Sequence, residues 1–422
     1  MSNTTDSPSG PQVLPVREQA AVINRLLERR LDEIIPAIMR DSEIDCWLIL
    51  CQEDDLDPVY ATMIPMDTWC PILQMLAFFQ RGDSVERFNI SGTNTHALYQ
   101  RPYAGQIETE QWPILIDLIG THDPARIGIN IGSIQWAAGG LTHNLHRQLV
   151  EHLPDRYVDR LVSAEDLAVR WSTTYTVDDL AVYEDVCAIA RHIVAECYSP
   201  ATVIPGETTI DDLMWRYWQH CADRGLTVSF KPFFRLIRNP ATTAHFGVDD
   251  RTVRAGDVIH CDVGLKYLRL VSDHQELAYV RLPGEPGPPT WLTDLLAEGN
   301  RLQDIFMAEF SAGKTGNETL AYLLERARAA GIPGPRIYSH STGWYLHEPG
   351  PLIGLPWEQE RCPGRGDVVI RPNSCYAMEL SVEAPAPAWG GEVVRLPIEQ
   401  DVSFTEAGGQ VLAGRQTAFH VI

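Results

Sequence analysis

The stretch CDVGLKYLRLVSD, from Cys261 to Asp273, places two aspartates near the ends of a mostly apolar run. Two antiparallel strands over 257–266 and 269–281, joined by a tight turn centred between Tyr267 and Leu268, set Asp262 opposite Asp273. Facing residues of such a pair share a face, with Cβ atoms about 4.5–5.5 Å apart. Two carboxylates that close in an apolar setting repel each other and raise one pKa strongly unless a cation sits between them. The pairing therefore predicts one or two metal ions on this hairpin. A second reading stays open on these residues alone. Lys266-Tyr267-Leu268-Arg269 has none of the Gly or Asn that a two-residue hairpin favours, so both aspartates also fit exposed loops.

A metal site needs further ligands, few and well separated. SHSTGWYLHEPGP, 339–351, carries His340 and His347, and its prolines forbid the continuous helix of an HExxH zinc motif. A lone histidine in such a loop is more often structural than functional. YAMELSVE, 376–383, sets Glu379 inside an apolar strand, and RLPIEQDVSF, 395–404, does the same with Glu399. An unpaired carboxylate is costly in such a place.

Around these segments the chain reads as two domains. Its 422 residues, 45% of them hydrophobic, exceed the size at which one core usually divides. A formal charge of −22 argues against nucleic acid and anionic membranes as partners. There is no apolar window of about 18 residues, and the opening MSNTTDSPSGPQ has no export-signal pattern. A cytoplasmic protein with a disordered tail over 1–14 is expected. The nine cysteines form no CxxC pair and read as reduced, buried thiols. Before residue 172, a helix over about 16–40 leads into the strand CWLILC (46–51). QMLAFFQ (74–80), RIGIN (126–130) and a helix through 141–153 follow, an α/β alternation. After it, Thr176 and Asp179 open a helix whose stripe is Leu180, Tyr183, Cys187, Ala190, Val194 and Cys197. A helix over 208–224, strands over 227–281 and helices over 290–312 and 316–330 come next, and the last 85 residues read as strands and loops. Asp57-Pro58 and Trp69 lie in a loop-like stretch that fits either a substrate contact or plain surface.

From about residue 173 onward the chain resembles the pita-bread metallopeptidases: methionyl aminopeptidase, aminopeptidase P, prolidase and their relative creatinase. The pieces that carry the likeness are GDVIHCDVG, the SD that ends eleven residues after Asp262, SHxxG with HEP, MEL, and IEQDV. The resemblance implies an α+β pita-bread catalytic domain over 173–422. It implies a creatinase-type α/β domain, a mixed sheet with flanking helices, over 15–172. Asp262, Asp273, His340, Glu379 and Glu399 would bind two divalent metal ions. Their carboxylate-rich set favours Mn²⁺, with Co²⁺, Zn²⁺ and Fe²⁺ as alternatives. His245 and His347 match substrate-contacting histidines, Glu379 a proton shuttle, and the assembly a homodimer.

The likeness has gaps. Gln275 and Glu276 stand in SDHQE where relatives often read SDITR, Arg336 stands where many carry a histidine, and Pro397 where an arginine is usual. Arg336 suits a bidentate clamp on a substrate carboxylate. The expected activity is hydrolysis of a peptide amide bond by a metal-activated bridging water, of Xaa-Pro aminopeptidase or dipeptidase type. The alternatives are a creatinase-like hydrolase of a small non-peptide C–N bond and a non-catalytic binding protein of the same fold.

Overall fold

The structure is a computed structural model describing residues 10–103, 105 and 110–422. Residues 1–9 of the expected tail lie outside these; within 10–14, the Leu14 N–H donates to the Tyr267 hydroxyl at 2.8 Å. Two compact units divide the chain. One comprises 15–179 with 343–350, the other 180–342 and 351–422 together with 10–14. The head of the helix Val177–Cys197, up to Asp179, groups with the first unit. Thr176 and Asp179 exchange capping hydrogen bonds of 2.8 and 3.2 Å. The buried guanidinium of Arg30 pairs with Asp179 at 2.9 Å.

In the first unit a five-stranded sheet runs in the order Ser84–Asn89, Leu73–Arg81, Cys46–Gln52, Ile127–Ile129, Leu161–Ser163. The first three strands pair antiparallel and the last two join parallel, a mixed sheet. CWLILC is apolar throughout because both its faces are covered. Trp47, Ile49 and Cys51 pack with Leu27, Leu31 and Ile35 of the helix Val16–Arg40 and with Leu167 and Trp171 of Glu165–Thr173. Cys46, Leu48 and Leu50 pack with Trp112, Leu115 and Ile119 of Gln111–His122 and with Leu145 and Leu149 of His143–His152.

In the second unit the large sheet runs His347–Ile353 (from 351 on within this unit), Arg336–Thr342, Ser374–Ala386, Glu392–Thr405, His274–Tyr279, Val258–Val263, Phe233–Ile237. The helices Thr290–Glu309 and Gly316–Ala329 bury Leu292, Leu296, Phe306, Leu320 and Leu324 against Met378, Leu380, Val382, Leu396 and Ile398. The helix comes so close that a Cβ on Gly299 would lie 2.8 Å from Ile398 Cδ1. With a side-chain period of two, Glu379, Ser381, Pro397 and Glu399 are left on the opposite face. Cα pairing aligns Tyr338, Glu379, Glu399, Gln275, Asp262 and Phe233 across six strands.

The hairpin that begins at Cys261 differs from its expected form. Val258–Val263 ends at Gly264, where a Cβ would lie 2.1 Å from the Ser272 carbonyl oxygen and 2.2 Å from Ser229 Oγ. Leu265–Tyr267 and Leu270–Val271 then leave the large sheet and form a small one with Thr227–Val228. The turn is centred between Leu268 and Arg269, at φ 51° and 64°. Both-positive φ is the two-residue type I′ geometry, taken here without Gly or Asn. Moving the centre by one residue moves each partner by two, so Asp262 faces Gln275 rather than Asp273. The step of two preserves the face, and Asp273 becomes Asp262's diagonal neighbour on it.

Candidate metal centre

Five side chains from five strands or strand ends converge on that face. His340, Glu379 and Glu399 bring ligand atoms within 4.8 Å of one another, and so do Asp262, Asp273 and Glu399. His340 Nε2 lies 3.4 Å from Asp273 Oδ2 and 3.3 Å from Glu379 Oε1. Glu399 belongs to both groups. It is fully buried, and neither of its carboxylate oxygens has a hydrogen-bond partner among the described residues. Burial, then the neighbouring Asp273 and Glu379, hold the Glu399 carboxyl well above the usual range. Burial and the same two neighbours raise Asp262 likewise. Four carboxylates around one imidazole make a set of hard oxygen donors short of a counter-charge, and divalent cations fit it.

The support behind the cluster is also polar. Asp401, fully buried, accepts the Asp273 backbone N–H at 2.9 Å and the Cys187 thiol at 3.4 Å. Gln275 Nε2 donates to Glu379 Oε2 at 2.7 Å and to Asp262 Oδ2 at 3.2 Å. Gln275 Oε1 lies 2.8 Å from His260 Nε2, and the Nε–H of Arg235 donates to His260 Nδ1 at 3.2 Å. Burial and the Arg235 guanidinium push the His260 imidazole down to about 3.

The sequence model of metallopeptidase family M24 matches residues 181–406, more than half of the chain and every residue of the cluster. The chain belongs to metallopeptidase family M24. Its architecture is that of solved members with an N-terminal α/β domain before a pita-bread domain. The X-Pro aminopeptidase of Thermotoga maritima MSB8 is similar at a TM-score of 0.65 and 16% identity, over 92% of this chain and 100% of that one. The Xaa-Pro dipeptidase of Bacillus anthracis is similar at 0.59 and 14%, over 96% and 99%. The prolidase of Pyrococcus furiosus is similar at 0.55 and 16%, over 90% and 100%. No curated protein sequence matches the chain. No helix among the described residues is long and apolar enough to cross a membrane.

The remaining expected site residues of this M24 chain have varied surroundings. Arg336, half-exposed, lines a cavity of about 220 Å³ whose wall includes Asp262, Gln275, Glu379, Arg235 and His260. Its Nη1 donates to the Pro356 carbonyl at 3.0 Å. His245 sits exposed on the short helix Pro240–Phe246, against the Phe246 ring and away from that cavity wall. His347 opens the strand His347–Ile353 in the segment grouped with the first unit. Asp57 is fully buried and hydrogen-bonded to the N–H groups of Val59 and Tyr60 and to Asn130, so it organises its own loop. Trp69 is 73% exposed. Arg235 and His260 were not anticipated, although strand alternation in VIHCDV puts His260 on the face of Asp262.

Proposed function

We propose that this M24 chain is a metal-dependent hydrolase of a peptide amide bond, of Xaa-Pro aminopeptidase or dipeptidase type, working with two divalent ions, Mn²⁺ by preference. The observation that carries the proposal is Glu399: a fully buried carboxylate without a hydrogen-bond partner among the described residues, amid Asp262, Asp273, Glu379 and His340. Divalent ions bound there supply Lewis acidity and water of lowered pKa. In this reading Glu379, which lines the cavity, carries a proton from water to the leaving amine. Arg336, on the same wall, suits a substrate carboxylate. His245 and His347 are assigned to substrate by family pattern alone. The cavity is below the roughly 300–1,000 Å³ of drug-sized clefts, which favours a small peptide.

The test is metal content after Mn²⁺ loading, followed by hydrolysis of Xaa-Pro dipeptides and longer Xaa-Pro peptides with and without chelator. Bound metal with chelator-sensitive cleavage is expected. Absence of bound metal would sink the proposal, and metal without peptide turnover would move the assignment to a non-peptide C–N bond. We further propose a homodimer. Val248 and Val393, 85% and 58% exposed, face one shallow hollow. A monomer mass by light scattering would remove that assignment.

A further inference from the structure

We propose that Gln275 is a positioning residue, held by a one-way hydrogen-bond chain from Arg235 through His260, that commits one oxygen each of Asp262 and Glu379 and leaves the other for a divalent ion. The proposal rests on the metal-centre reading above. With both carboxylates ionised, as the metal-centre reading requires, each link can run in one direction only. An ionised carboxylate only accepts, so Gln275 must present its NH₂ group to Asp262 Oδ2 and Glu379 Oε2, at 3.2 and 2.7 Å. That turns its carbonyl toward His260 Nε2, 2.8 Å away, which must then carry hydrogen. Arg235 Nε always carries hydrogen, so His260 Nδ1, 3.2 Å away, must be the acceptor. Reversing any link sets donor against donor or acceptor against acceptor. Gln275 and His260 are 5% and 2% exposed, so water does not readily substitute for a lost link.

The arrangement has a definite consequence for the carboxylates. With Oε2 taken by Gln275, Glu379 turns Oε1 toward the cluster, 3.3 Å from His340 Nε2. Asp262 keeps Oδ1 clear of the amide in the same way. Both amide hydrogens are used, one per carboxylate. A hydroxyl, with one hydrogen, cannot serve two carboxylates. The anchor of the chain, Arg235, lies on the edge strand Phe233–Ile237 and lines the same cavity as Asp262 and Glu379.

Co²⁺ titration of the metal-free protein tests this directly, because its visible absorption reports coordination geometry as well as affinity. Gln275→Leu keeps the shape and removes the donors. It should weaken Co²⁺ binding by about 10- to 100-fold, as loss of a ligand-orienting partner does, and alter the spectrum. Arg235→Met, which keeps the length of the side chain and removes its donors, should shift both in the same direction by a smaller factor. Wild-type affinity and spectrum in both variants would overturn the proposal. If Gln275→Leu does not fold, Arg235→Met decides alone, an unchanged spectrum and affinity counting against the chain. Failure of the wild type itself to bind Co²⁺ would instead remove the metal-centre reading on which this inference stands.

Discussion

At the scale of single residues, two buried carboxylates make opposite demands. Glu399 has no protein partner among the described residues and close acidic neighbours, so its charge is tolerable only with a cation present. Glu399→Gln should therefore stabilise the metal-free protein at pH 8, by roughly 1–3 kcal/mol, and abolish the rise in Tm that Mn²⁺ gives the wild type. Thermal denaturation of both proteins with and without Mn²⁺ checks this; a variant that still gains stability from Mn²⁺ would contradict it. Asp57 has partners, yet burial outweighs its hydrogen bonds and raises its carboxyl to about 6. The folded protein then holds that proton more tightly than the unfolded chain does. The resulting stabilisation is present in full below about pH 4 and lost as pH rises through 6, on the order of 3 kcal/mol for a shift of this size. Urea unfolding between pH 4 and 7 should show this slope in the wild type, and Asp57→Asn should flatten it. The variant should also be weaker at low pH, because its amide would meet the Asn130 amide donor.

At the scale of elements, two glycines set the positions of the site-bearing strands, and the obstacle each meets decides its cost. A methyl group at Gly264 meets the Ser272 carbonyl oxygen, and backbone within paired strands cannot retreat. Gly264→Ala should cost about 3 kcal/mol or more, at the upper end of overpacking. At Gly299 the obstacle is the tip of Ile398, which can rotate, and alanine regains up to about 1 kcal/mol of helix propensity. Gly299→Ala should fall within about 1 kcal/mol of wild type. Chemical denaturation orders the two, and equal costs would mean that the strand change at Gly264 is not rigid. The same hairpin marks the limit of what the sequence discloses. Its acidic pair and the face that pair shares were legible, because parity survives a shift of two in pairing. The register was not, because Leu268 and Arg269 take positive φ without turn-type residues, and propensity gives no sign of that. Glu379 and Glu399 stood out as carboxylates in apolar strands, whereas the hydrogen bonds of Gln275 depend on the correct register and emerge only with the fold.

At the scale of the whole molecule, segment 343–350 groups with 15–179 although it lies between two pieces of the second unit. No local pattern announces this, since it depends on contacts such as the Trp344 N–H with the Ser172 carbonyl at 2.7 Å, made far along the chain. The thiols, in contrast, follow from composition and are testable on the intact protein. All nine cysteines are buried thiols outside any disulfide, seven of them completely buried, with Cys70 and Cys362 at 8% and 4% exposure. Burial raises the Cys221 thiol to about 11 and Cys197 to about 12. At pH 8 a thiol of pKa near 11 is ionised about once in a thousand molecules, and the thiolate is the form that reacts. The native protein should thus resist a disulfide-exchange reagent for as long as it stays folded, and titrate nine thiols once denatured. Cys70 and Cys362 should lead any slow reaction of the native form, since they need the least opening to reach solvent. Peptide mapping after partial labelling distinguishes the sites, and early labelling of Cys187 would mean that the support of Asp273 through Asp401 opens more readily than its burial indicates.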